Sequence, residues 1–238
     1  MIRKLAIVFA SGMVFAIVLL SSAWVLGGNE LLARIEKDGG YNITVDDDKE
    51  AAALVTRNFA LAGIETLTIS APVTLTYSKG PKAEMVVSGP EKVMKALRWE
   101  NGRLSLGGHF FGIRRASIEV TIMAPQLPNL VMQGAGEADL TLVDQPSLSI
   151  DAAGALDLEG AGKVETLTLD AKGASNVDLS GIEARDATVR IAGAGDVDIS
   201  ATGKVDATIS GAGTVTLHRK PEVLTSRING AGSIEHDY

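Results

Sequence analysis

From about residue 59 onward, hydrophobic and polar positions alternate. Ile64-Glu65-Thr66-Leu67-Thr68-Ile69, Val73-Thr74-Leu75-Thr76-Tyr77 and Glu84-Met85-Val86-Val87-Ser88 are period-two runs rich in β-branched residues. Pro72, Gly80-Pro81 and Gly89-Pro90 separate them. Such runs between turn residues predict strands with one buried face. Pro90 to Leu97 reads as one short helix, with Pro near its first turn. Arg103 to Leu106 and Ser117 to Ile122 read as two further strands.

The pattern ahead of these strands is different. Arg3 and Lys4 precede an uncharged apolar run from Leu5 to Leu26. As a helix, its 22 residues (26 − 5 + 1) rise about 33 Å, enough to cross roughly 30 Å of hydrocarbon. That length favours an uncleaved anchor, while Ser21-Ser22-Ala23 supplies small residues suited to signal cleavage. Either way the positive end stays inside and the remainder is placed outside the cytoplasm. Asn29 to Asn58 is polar and mixed, and its charge run Asp46-Asp47-Asp48-Lys49 reads as solvated linker rather than a calcium loop. The expected layout is a signal peptide or membrane anchor over 1–28, a polar linker over 29–58 and a β domain over 59–238.

From about residue 128 a single pattern recurs six times. Its copies begin at Gly134, Ala152, Gly173, Gly193, Gly211 and Gly230, separated by 18, 21, 20, 18 and 19 residues. The second position is Ala throughout: Ala135, Ala153, Ala174, Ala194, Ala212 and Ala231. Apolar residues stand two and four positions before most corners, and four positions after each (Ala138, Leu156, Val177, Val197, Val215, Ile234). A unit of about 20 residues cannot bury such a face alone, so neighbouring units must stack. Stacked equivalent strands pair in parallel about 4.8 Å apart. The small-residue corner fits a tight turn with close approach between layers, and the Ala column is expected to be closed in by its neighbours. The expected fold is therefore all-β: a β-solenoid, most simply a right-handed parallel β-helix, preceded by one N-terminal transmembrane or signal helix. A β-sandwich of similar hairpins is the alternative.

The Gly-Ala-Gly-x-φ-Asp-φ repeat resembles the GIN domain, the family labelled an autotransporter adhesin head. The resemblance extends from about Phe59 to Glu235. It includes Phe59-Ala-Leu-Ala-Gly63-Ile-Glu-Thr-Leu-Thr-Ile69 and the Pro125-Gln-Leu-Pro128 lead-in to the repeats. It implies an exported β-helical domain, and it brings no catalytic residues with it.

Composition narrows the field further. Apolar residues are 46% of the chain but aromatics only 4%, which suits thin repetitive layers of Ala, Val, Leu and Ile. A net charge of −7 argues against nucleic acid as a partner. The absence of Cys rules out disulfides and thiolate metal sites. The strongest candidate for chemistry is the acidic row Asp139, Asp157, Asp178, Asp198 and Glu235, interrupted by Thr216. Parity turns these side chains outward. They are weak candidates for calcium, because calcium-binding β-helices use a nine-residue unit that is missing here. The carboxylates recur only because the repeat recurs, and no base is paired with them. His109, His218 and His236 are scattered, and no hydrolase, metalloprotease or phosphate-loop pattern occurs. No catalytic residue and no cofactor are therefore assigned. The loop carrying His109, Phe110, Phe111, Arg114 and Arg115 is a candidate recognition loop. It concentrates two of the five Phe residues beside two Arg.

The expected function is a non-enzymatic envelope module. It would be held at the outer side of the inner membrane by its N-terminal helix, or released to the periplasm or cell surface if cleaved. Its rigid surface would serve adhesion, or contact with a protein or glycan. The alternatives are a carbohydrate-active enzyme on the same scaffold and a self-assembling unit, since the open ends of a solenoid invite homo-oligomer formation.

Overall fold

A computed structural model describes residues 54–107 and 118–238. The Leu5–Leu26 run lies outside these residues. Among the described residues no helix is long and apolar enough to cross a membrane. The described chain is all-β apart from one short helix. Its elements are β1 (Leu54–Ala60), β2 (Thr66–Ser70), β3 (Val73–Lys79), β4 (Glu84–Pro90), α1 (Glu91–Ala96), β5 (Leu97–Glu100), β6 (Arg103–Leu106) and β7 (Ile118–Ala124). There follow one long extended run, β8 (Asn129–Ala201), then β9 (Lys204–Leu217), β10 (Val223–Gly230) and β11 (Ser233–His236). The alternating runs are strands and Glu91–Ala96 is the expected helix. β1 begins at Leu54, inside the stretch read from sequence as linker. β5 was not anticipated, because Leu97-Arg98-Trp99-Glu100 follows the helix without a turn residue to announce it.

The repeated half of the chain lies parallel to itself. Ala187–Ile199 of β8 pair with Val205–Leu217 of β9, eighteen residues on, without a shift. β10 and β11 then pair in parallel with β9. Within β8 the same stacking is marked by its corner glycines, each lying against the backbone of the one before. The column runs Ala71, Gly134, Gly154, Gly173, Gly193, Gly211, Gly230. We call each stretch between successive corners a lap. Inward positions on either side of the corner carry the core. Leu130, Ile150, Leu169 and Val189 stand four residues before successive corners, and Leu158, Val177, Val197 and Val215 four residues after, all at most 1% exposed. A fully buried Val, Leu or Ile contributes about 1.5–3 kcal/mol, so every lap adds several such terms only by lying on its neighbour.

This column corrects the sequence alignment of the second repeat. The corner of that lap is Gly154, two residues later than the expected start at Ala152. The steps between corners are thus 20, 19, 20, 18 and 19 residues. The reason is conformational. The first corner residue adopts positive φ, +134° at Gly154, a region that L side chains avoid. Ala152 instead sits fully buried in the core. The exposed second position is therefore Ala155 and not Ala153, and the column Ala135, Ala155, Ala174, Ala194, Ala212, Ala231 faces solvent. The expectation that this Ala column is closed in is overturned. Close approach is made by the glycine beside it, whose missing Cβ would overlap the carbonyl of the preceding corner.

The N-terminal end of the stack is built differently. β2 and β3 form the first lap against β8, and β6 and β7 pair with them in parallel. Antiparallel strands then take over, β5 on β6, β4 on β7 and β1 on β4. α1 buries Val93 and Met94 into the core, and Arg57 donates to its Met94 carbonyl at 3.5 Å and to the carbonyl of Leu97, the first residue of β5, at 3.2 Å. The lead-in to the repeats is held by a side chain. Gln145 Oε1 accepts from Leu127 N at 2.8 Å, and its Nε2 donates to Leu127 O at 3.1 Å and Ser147 O at 2.6 Å.

Candidate functional site

The outward face of the segments that follow each corner carries two adjacent acidic columns. The corrected register places Glu137, Asp157, Asn176, Asp196, Thr214 and Ser233 in one column. Asp139, Glu159, Asp178, Asp198, Thr216 and Glu235 form the other. Asp139, Asp178 and Asp198 thus share a row, as expected from the repeat. Asp157 stands in the neighbouring column, and its expected place is taken by Glu159. The sequence alignment missed Glu137, Glu159 and Asp196. Constancy of the step between corners would have found them, since the 18 and 21 residue steps become 20 and 19 once Gly154 is the corner.

Strand neighbours at about 4.8 Å bring these carboxylates near one another in a mildly unfavourable way. Uncharged donors satisfy several of them. Asp139 accepts from Thr141 Oγ at 2.8 Å, Asp157 from Asn176 Nδ2 at 3.0 Å, and Asp178 from Ser180 N at 3.0 Å. At the far end His218 stands between two carboxylates, with Nε2 3.1 Å from Asp198 and Nδ1 3.3 Å from Asp237. Neither column contains a Lys or Arg.

Counter-charges lie elsewhere. On the segments preceding the corners, Lys172 meets Asp151 at 2.9 Å and Arg190 meets Asp170 at 3.7 Å. The Asp151 carboxylate raises the Lys172 ammonium above its ordinary value, mainly by hydrogen bonding. At the turns, Lys79 meets Asp144 at 2.8 Å and Arg219 meets Glu183 at 2.7 Å. Lysine– and arginine–carboxylate pairs thus lie before the corners and at the turns, whereas the two acidic columns contain no Lys or Arg.

Concavities lie along this surface and, separately, at the lead-in to the repeats. A shallow strip of 670 Å³ runs along the corners, with Glu137, Asp157, Asn176 and Asp196 beside Ala174 and Ala194. A groove of 740 Å³ lies at the Pro125–Pro128 lead-in and contains Glu65, Lys79 and Asp144. The groove has two carboxylates and a lysine, the minimum for glycoside chemistry, but Lys79 hydrogen-bonds Asp144 and holds it below the ordinary carboxylate range. A general acid needs the opposite shift. Among the described residues no three His, Asp or Glu converge on a point where a metal ion would sit. His109, Phe110, Phe111, Arg114 and Arg115 lie outside the described residues.

Fold and face together define an all-β repeat domain with a broad, regular, charged surface. The sequence profile of the family described as "Putative auto-transporter adhesin, head GIN domain" matches residues 64–221. The chain belongs to this family. A solved structure of a putative adhesin from Bacteroides fragilis is similar, with a TM-score of 0.60 and 18% identity over 77% of this chain and 97% of that one. A putative adhesin from Parabacteroides merdae (TM-score 0.40, 13% identity, 78% and 97% covered) is also similar. So is a putative cell adhesion protein from Clostridium sporogenes (TM-score 0.35, 13% identity, 77% and 98% covered). No curated protein matches the chain.

Proposed function

We propose that this protein is a non-enzymatic module of the cell envelope that presents its acidic face to a protein or glycan partner. The curled sheet is read as a β-solenoid, a right-handed parallel β-helix, with the presenting domain beginning at β1 (Leu54) and running to 238. Residues 29–53, ahead of β1, are assigned as the linker, and residues 1–28 as the anchor or signal that carries the domain out of the cytoplasm. The carrying observation is the charge asymmetry: two columns of outward carboxylates that contain no Lys or Arg, on a molecule that forms lysine– and arginine–carboxylate pairs at its turns and on the segments before the corners. Family membership and the adhesin names of similar structures support a contact role over catalysis. Asp144, whose carboxyl Lys79 holds below the ordinary range, is not suited to be the general acid that glycoside hydrolysis needs.

The test is capture of partners from envelope extract by the immobilised full-length protein. A variant with Asp139, Asp157, Asp178, Asp196 and Asp198 changed to Asn serves as comparison. The partners retained by the wild type are expected to be lost from the variant. Equal capture by both would remove the acidic face from the proposal. Turnover of an envelope polysaccharide, abolished by Asp144→Asn, would replace this reading with the enzymatic one.

A further inference from the structure

We propose that the last lap, β10 and β11, is the interface of a two-fold, end-to-end dimer of this chain. In it β10 of each copy pairs antiparallel with β11 of the other. Among the described residues these strands have neighbours on one side only, since both pair with β9 alone. Their outer backbone groups form an open ladder of the kind another strand completes. The inward column is uncovered as well. Ile209 and Val215 are fully buried one lap earlier, whereas Ile228 is 41% exposed and Leu224 and Ile234 are only partly buried. Ser226 and His236 occupy the columns filled by Ala207 and Leu217. The end is thus apolar and polar by turns, as suits a surface that also meets water when alone.

Shape selects the occupant. β10 and β11 both sit on β9 without a shift, so the last lap repeats the outline of the lap beneath. A single extended peptide would complete β10 or β11 but not both. A second copy, offering the same outline, completes both at once. The other end does not repeat this outline, because antiparallel β1, β4 and β5 and the helix α1 occupy it. Association therefore closes at two copies instead of growing into a fibre.

Charge selects the orientation. Arg227 on β10 and Glu235 on β11 both point outward and are exposed, and neither has an ion pair among the described residues. β10 against its own copy would crowd Arg227 toward Arg227. β10 against β11 brings Arg227 to Glu235 on both sides of the two-fold axis.

Sedimentation equilibrium of the full-length protein in detergent provides the test. A monomer–dimer equilibrium is expected, weakened about tenfold by Arg227→Glu and restored by Arg227→Glu combined with Glu235→Arg. Ile228→Lys is expected to weaken it as well. Because the chain has no Cys, disulfide trapping is a second measurement. A mixture of Arg227→Cys and Glu235→Cys proteins should give mainly the mixed dimer. A wild type that stays monomeric at about 100 µM would overturn the proposal. So would a dimer indifferent to all these substitutions, as association through the N-terminal run would give, or trapping mainly between copies of the same variant.

Discussion

At the scale of single residues, the corner separates two small side chains that look alike in the sequence. Gly193 adopts φ +148° and its Cβ position lies on the backbone of Gly173, whereas Ala194 next to it faces solvent. Gly193→Ala is expected to destabilise by at least about 2 kcal/mol, through backbone strain and overpacking. Ala194→Leu should stay within about 0.5 kcal/mol. Urea denaturation of both variants checks the pair, and a tolerant Gly193 would mean that the laps do not touch at this column. The sequence displays the Gly-Ala-Gly motif plainly, but which member makes the contact depends on a dihedral angle that composition does not carry. The same blindness misplaced Asp157: Ala152-Ala153-Gly154 imitates the motif, yet only Gly154 can take the corner conformation. Ser175 is a further residue that no pattern announced. Its hydroxyl is buried with no hydrogen-bond partner, at the position equivalent to Gly195 and Gly213. Ser175→Ala should therefore stabilise by about 1 kcal/mol, seen as a higher denaturation midpoint with unchanged slope.

At the scale of elements, strands were legible wherever alternation was long and bounded by Gly or Pro, as in β3 and β4. What escaped was tertiary in origin. β5 is a four-residue strand that exists because β6 offers it an antiparallel edge. The lead-in to the repeats depends on Gln145, which behaves as a short surrogate strand by bonding both polar groups of Leu127. Nothing local marks a glutamine for that task. Gln145→Ala leaves a partly buried N–H and C=O without partners and should cost about 1–3 kcal/mol. Faster amide hydrogen exchange at Leu127 than at Leu130 is the accompanying signature, and unchanged exchange would mean that water replaces the side chain without loss.

At the scale of the whole molecule, the repeat could be read from the sequence, and with it the all-β fold and the outward acidic row. The second acidic column could not, because it depends on a two-residue shift in one lap. The acidic face has a thermodynamic consequence. Its repulsion is screened by salt, so the unfolding temperature should rise between low ionic strength and about 0.5 M NaCl. Asp178→Asn with Asp198→Asn should fold normally, change stability by no more than about 0.5 kcal/mol and flatten that dependence. Calcium should do no more than NaCl of equal ionic strength. A larger calcium effect, lost in the double variant, would establish a metal ladder.

The unequal lengths of the laps have a practical meaning. From Ala187 to Ile199 and from Val205 to Leu217 the register is fixed residue by residue, so the variation between 18 and 20 residues is absorbed in the turns that follow. Those turns are the places where foreign sequence can be spliced in. Arg219 and Lys220 are both exposed, and a peptide inserted between them would emerge from the edge of the stack with its ends close together. The cost of closing such an insertion grows only slowly with its length. The same peptide placed between Gly193 and Ile199 would throw every later lap out of step. The protein is in this sense a ready-made display frame, with one edge open to editing and a spine that tolerates none.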